Sequence, residues 1–229
     1  MVAVNLHWGY LQLTEEMEKM TGLPVRAGND ANVAALGEMW KGGGAGYHNV
    51  VMVTLGTGVG GGIIVNGKIV TGSHGAGGEI GHIHVEDSME ESCNCGNKGC
   101  LEQFVSATGI VRLANKMLDE SDAPSVLRNG PVSAKTVFDA VKEKDGLAAE
   151  IAEQFGKYLG TALAVIAGVV DPEVFVIGGG VSKAGQVVID YIRKYYREYA
   201  FSGCKDTAFA LAELGNDAGI YGAARLVLD

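Results

Sequence analysis

Two kinds of hydrophobic pattern alternate along the chain. Short runs are apolar almost throughout, and longer stretches carry an apolar residue every three or four positions. Val50–Leu55, Gly62–Val65 and Val174–Ile177 are of the first kind. Rich in Val and Ile and bounded by glycine, they predict strands buried on both faces. Asn66-Gly67 is a tight-turn pair leading into Lys68–Val70, so Val50–Val70 predicts three sequential antiparallel strands. Short strands are also expected at Pro24–Ala27 and Phe209–Leu211. The second pattern predicts helices near Thr14–Thr21 and over Ala31–Trp40, the latter with Val33, Leu36 and Trp40 on one face. It continues over Leu101–Leu118 (Phe104, Val105, Val111, Ala114, Met117) and near Ser133–Glu143. Leu147–Val170 turns Ile151, Phe155, Leu159, Leu163 and Ile166 inward, and Asp171-Pro172 stops it. Helices at about Lys183–Tyr199 and Ala218–Leu228 complete the set, with a loop at Ala123–Gly130. Antiparallel strands first and helix–strand–helix later imply an α/β domain with a mixed sheet.

Composition narrows the function classes. A length of 229 residues admits one large or two modest domains, and the Gly42–Gly46 run marks a boundary. A net charge of −9 with no Lys/Arg stripe argues against a nucleic-acid surface. The longest apolar run, Tyr158–Val170, is too short to span a bilayer, and no basic-then-apolar leader is evident. Three of the four cysteines lie between positions 93 and 100, which suits metal ligation in a reducing cytoplasm better than a disulfide framework. The 35 glycines are bunched at the ends of Val/Ile-rich runs, where bare backbone permits sharp turns or close approach to a ligand.

Several segments carry candidate chemistry. Cys93-Asn94-Cys95-Gly96-Asn97-Lys98-Gly99-Cys100, with His82 and His84 upstream, offers a tetrahedral N/S set of the kind Zn²⁺ prefers. Both histidines are expected on one side of a strand, so spacing leaves the choice between them open, with His84 favoured as a structural or solvated residue. Leu55–Gly62 could cradle a phosphate with freed backbone N–H groups and the Thr57 hydroxyl, or could be a hairpin kept small for packing. Gly178-Gly179-Gly180 ends a strand before a helix, which suits a ligand or a plain turn equally. Asn29-Asp30 precedes a helix and could supply either an N-cap or a base on a substrate hydroxyl. Glu79 and His82, three apart on bare backbone, could hydrogen-bond a sugar. His7, His74 and Cys204 belong to no constellation.

Taken in order, these segments resemble the ROK family of bacterial sugar kinases and sugar-responsive repressors. The matching pieces are Asn29-Asp30-Ala31-Asn32, the Leu55–Gly62 loop, Gly78-Glu79-Ile80-Gly81-His82, the Cys93–Glu102 motif and Val176–Ser182. Within the family the chain is most similar to glucokinases of Gram-positive bacteria. The resemblance implies an actin-like (ribonuclease-H-like) sugar kinase fold, with ATP and Mg²⁺ phosphorylating the 6-hydroxyl of glucose or a related hexose. It implies Asp30 as general base and Asn29, Glu79, His82 and Glu102 on the sugar. Thr57 and Gly58 would lie on the phosphates, with Gly178, Gly179 and Gly180 near the nucleotide, and Zn²⁺ on His82, Cys93, Cys95 and Cys100. A repressor effector domain and an N-acetylmannosamine kinase are the competing readings. Family kinases open with an Asp-x-Gly-Gly-Thr segment that this sequence lacks. The expectation is therefore a truncated N-terminal lobe, residues 1–47 joined by 217–229, beside a C-terminal lobe at 48–216. Weak turnover and assembly into a homodimer or higher homo-oligomer are expected to follow.

Overall fold

The computed structural model describes residues 12–228. Positions 1–11 of the expected first lobe, His7 among them, lie outside the described residues. Five strands, β1 (Val50–Leu55), β2 (Val59–Val65), β3 (Lys68–Ile69), β4 (Val174–Gly178) and β5 (Ala208–Leu211), form one sheet in the order β3-β2-β1-β4-β5. The pairings of β2 with β1 and β3 are antiparallel, and those of β4 with β1 and β5 are parallel. The sheet is mixed, as the patterning implies. Asn66 (φ 51°) and Gly67 (φ 75°) both take the left-handed conformation that a two-residue hairpin turn of this hand requires.

The continuous hydrophobicity of β1 and β4 has a direct cause: both faces of the sheet are covered. Val51, Val53, Leu55, Phe175 and Ile177 pack in one core with the buried faces of α4 (Ala107–Glu120), α5 (Ala134–Lys142), α6 (Gly146–Val170) and α7 (Gln186–Tyr199). The alternate residues Val50, Met52, Val174 and Val176 face Ala35 and Leu36 of α2 (Asp30–Lys41) and Leu226 of α8 (Ala218–Leu228). All five inward positions expected on α6 are buried. Among the described residues, no helix is long and apolar enough to cross a membrane.

Four local expectations need correction. Residues 24–27 form no strand; the Val25 N–H is taken by the Glu18 carboxyl of α1 (Leu13–Thr21) at 3.0 Å, so no sheet partner competes for it. The helix expected over Leu101–Leu118 is two, α3 (Glu102–Val105) and α4, because Ser106 turns extended (ψ 165°) and its hydroxyl caps Gly109 N at 3.0 Å. The last long helix before β5 starts at Gln186, since Gly185 (φ 86°) separates it from a 3₁₀ turn at Val181–Ala184. Ile80–His82 is also a 3₁₀ turn, so His82 and His84 do not share a strand face.

One buried acid organises the far end of α2. Glu38 is 0% exposed. Its Oε2 accepts from Gly43 N (2.9 Å) and Glu213 N (3.0 Å), and its Oε1 from Leu214 N (2.9 Å). A single side chain thus ties the backbone leaving α2 to the backbone approaching α8, and it satisfies three N–H groups at once.

Candidate functional site

The site is assembled around the glycine end of β2. The short β3 pairs only Ile64 and Val65, leaving Gly60–Gly62 without a neighbour on that side. A Cβ on Gly62 would lie 2.4 Å from Ala35 Cβ, and one on Gly61 would lie 2.4 Å from Gly78 O. Bare backbone therefore lets α2 and the 78–82 turn close on the strand together. Asn29 and Asp30 ride on the first, Glu79 and His82 on the second.

At the start of α2 the capping duty falls to Asn29. Its Oδ1 accepts from Ala31 N (3.0 Å) and Asn32 N (3.2 Å). Asp30 is exposed; its Oδ1 accepts from Ala31 N at 2.8 Å, and its other oxygen has no protein partner among the described residues. The cap is thus Asn29 rather than Asp30.

The cysteine corner is compact. The ligand atoms of His82, Cys93, Cys95 and Cys100 all lie within 4.8 Å of one another. His82 Nδ1 is 3.6 Å from Cys93 Sγ, and Cys95 Sγ is 3.6 Å from Cys100 Sγ. A tetrahedral zinc with metal–sulfur bonds of about 2.3 Å has ligand–ligand edges of about 3.8 Å, so this set fits the ion. Burial pushes the Cys93 thiol up and the Cys100 thiol to about 12, whereas the Asn97 backbone N–H draws Cys95 down. Buried thiolates need a compensating cation, which is what a metal supplies. His84 is separate: Nδ1 meets Lys98 O at 2.9 Å and Nε2 meets Asp87 Oδ1 at 2.8 Å, so both ring nitrogens are occupied in holding the loop.

Two side chains link the corner to its surroundings. His82 Nε2 lies 3.9 Å from Glu79 Oε2. Glu102 places Oε1 3.6 Å from Cys93 Sγ and accepts from Val59 N through Oε2 at 3.0 Å. A Cβ on Gly58 would sit 2.2 Å from that Oε2, so the loop can hold the carboxyl only with glycine there. A cleft of about 270 Å³ runs from Thr57 and Gly58 to Glu102 and Cys93; Asn29, Asp30, Glu79 and His82 lie outside its lining. Gly178 pairs with Thr54 in the parallel register, and a Cβ on Gly179 would lie 2.4 Å from Leu55 O. The two glycine segments are therefore neighbours at the carboxyl end of β1 and β4, where ligands of open α/β sheets collect. His74 is exposed, and Cys204 is buried with its Sγ 3.5 Å from Asp171 Oδ1.

The ROK family model matches residues 1–229, the whole chain. The chain belongs to the ROK family. A glucokinase from Halalkalibacterium halodurans is 46% identical across 98% of this chain and 70% of that protein. A ROK family glucokinase from Streptomyces griseus, solved in complex with glucose and AMPPNP, superposes with a TM-score of 0.82 at 37% identity, covering 98% of this chain and 75% of that one. A putative xylose repressor from Caldicellulosiruptor is more distant, 29% identical over 88% of this chain and 51% of the repressor. The protein is a ROK glucokinase-like sugar kinase with the actin-like fold of that family.

Two buried polar residues of α2, one at the site and one at its far end, carry no role in the sequence pattern. Glu38 holds the end of α2, and Asn32 lies three residues after Asn29, 4% exposed, with an Oδ1 that meets no hydrogen-bond donor. The i, i+3 spacing of two asparagines was the available signal for Asn32. Nothing local marks Glu38, whose donors at 213 and 214 are more than 170 positions away.

Proposed function

We propose that the chain binds glucose between the start of α2 and the 78–102 segment and carries the groups that phosphorylate its 6-hydroxyl from ATP. The observation that supports this most strongly is the convergence on β2 of Asp30, with one oxygen unpartnered, and of the Glu79–His82–Glu102 set. As the hydroxyl oxygen attacks the γ-phosphorus, Asp30 takes its proton and the bridging P–O bond breaks to release ADP. Asn29, Glu79, His82 and Glu102 hold the other hydroxyls. Thr57 and Gly58 take the phosphates, and Gly178, Gly179 and Gly180 flank the nucleotide. Both nucleotide and sugar chemistries match the ligands of the Streptomyces griseus structure.

Zn²⁺ would be held by His82, Cys93, Cys95 and Cys100 and would supply structure rather than a reaction step. Bound there, it would fix the His82 ring and leave Nε2 beside Glu79. A repressor would need only sugar binding, and the unpartnered second oxygen of Asp30 favours the kinase. Asp30→Asn is the test. It should keep glucose affinity near that of the unaltered chain while glucose-dependent ADP release falls by about 10²-fold or more. Equal ADP release by the two proteins would sink the assignment.

A further inference from the structure

Asn32 sits where the two halves of the site meet. Its backbone is fixed in the first turn of α2, its N–H donating to the Asn29 cap. Its side chain is 4% exposed, and the Oδ1 is buried with no donor in reach. A buried carboxamide oxygen left idle in this way is costly, which an apolar residue of the same size would not be.

Beside it lies a complementary vacancy in the backbone hydrogen bonding. Gly78 is buried and left-handed (φ 91°), and a Cβ built on it would be 3.4 Å from Asn32 Oδ1. The Gly78 N–H donates to no backbone oxygen or side chain among the described residues, although its neighbours do: Gly77 N to Thr71 O at 2.9 Å, and Ile80 N to Gly78 O at 2.7 Å. The next donor, Glu79 N, makes only a long bond of 3.4 Å to Ala76 O. An unpaired acceptor on the helix that carries Asp30 therefore lies close to Gly78, on the turn that carries Glu79, where two backbone donors are unpaired or weakly held.

We propose that Asn32 is a positioning residue for the sugar reaction: its carboxamide oxygen latches the Gly78–Glu79 backbone when a hexose draws the turn onto α2. The latch joins the residue that receives the proton to the residues that hold the ring. Its unmade hydrogen bond in the sugar-free protein is recovered on binding. This inference rests on the sugar-site reading above, and it goes further by giving a residue that touches no reacting atom a share in sugar affinity.

The test pairs stability with binding in the full chain. Asn32→Leu removes the idle amide at nearly constant volume, so the sugar-free variant should melt about 2 °C or more higher than the unaltered chain. The same variant should bind glucose about three- to tenfold more weakly, with unchanged zinc content. A residue that only packs would move both readings in the same direction, or neither. Amide hydrogen exchange on the unaltered chain provides a second measurement that needs no variant: saturating glucose should slow exchange at Gly78 and Glu79. Unchanged exchange at both amides, or glucose affinity unchanged in Asn32→Leu, overturns the latch. An unaltered chain that binds no hexose in calorimetry overturns instead the sugar-site reading on which the latch depends.

Discussion

The cysteine corner and the proposed sugar cleft share His82 and Glu102 but are built in opposite ways. The corner is local: four side chains between positions 82 and 100 converge through one 3₁₀ turn and one tight loop. The cleft is assembled from distant pieces, with residues 29–32, 57–62, 78–82 and 102 brought together on the glycine end of β2. The corner is therefore fixed by contacts close in sequence, and the cleft by parts held at long range and left partly unpaired. Such a division would suit the proposed site, which has to aim its groups at a sugar and still close on it.

The largest perturbation should come from the long-range side. Glu38→Ala removes the acceptor of three backbone N–H groups and the packing of a fully buried side chain, at a cost of about 2–3 kcal/mol in denaturant unfolding. Zinc binding by whatever remains folded should be unaffected. Loss of zinc alongside stability would mean that the two regions are one cooperative unit. Cys100→Ser attacks the other side. Zinc affinity should fall by about 10²-fold, and glucose affinity by about tenfold because His82 loses its anchor. Dialysis equilibrium and calorimetry read the two effects separately.

Gly58→Ala addresses the contact between the regions. The added methyl would meet Glu102 Oε2 at 2.2 Å, so the carboxyl must leave Val59 N. Glucose should bind with about 1–2 kcal/mol less free energy while zinc content stays at that of the unaltered chain. Asp145→Asn sets the baseline, because Asp145 caps α6 far from both regions. Burial alone would push its carboxyl up, but the N–H groups of Ala148, Val126 and Leu147 and the Ser125 hydroxyl hold it below the usual aspartate range. That depressed value adds stability that is complete above the unfolded value near 4, and is lost as pH falls through the folded value. The variant should melt slightly lower at neutral pH, by less than about 1 kcal/mol, and the gap should close in acid. Sugar and metal binding should not change.

What could be read in the sequence follows the same division. The strands β1 and β4 and the helix α6 were legible because burial on two faces, or on one helical face, leaves a period in the residues themselves. The corner was legible because its ligands are close in sequence. The choice of His82 over His84 was not legible from spacing, since it depends on a 3₁₀ turn that spacing does not encode. Pro24–Ala27 has strand-like residues, yet its one determining contact is with Glu18 of the preceding helix. Asn32 and Glu38 escaped because their environments are made by residues 78, 213 and 214, which no local window contains. Asn29 and Asp30 were legible as a pair with two possible duties, and only the hydrogen bonds of α2 assign the cap to Asn29.

The central claim is that the metal corner aims sugar-binding groups into the cleft, and one titration tests it most directly. Glucose is titrated calorimetrically into the zinc-loaded chain and into the same chain stripped with a chelator, with circular dichroism confirming that both remain folded. The account predicts saturable binding of one sugar per loaded chain, weakened about tenfold or more when the metal is removed. Equal affinity in the loaded and stripped proteins would contradict it.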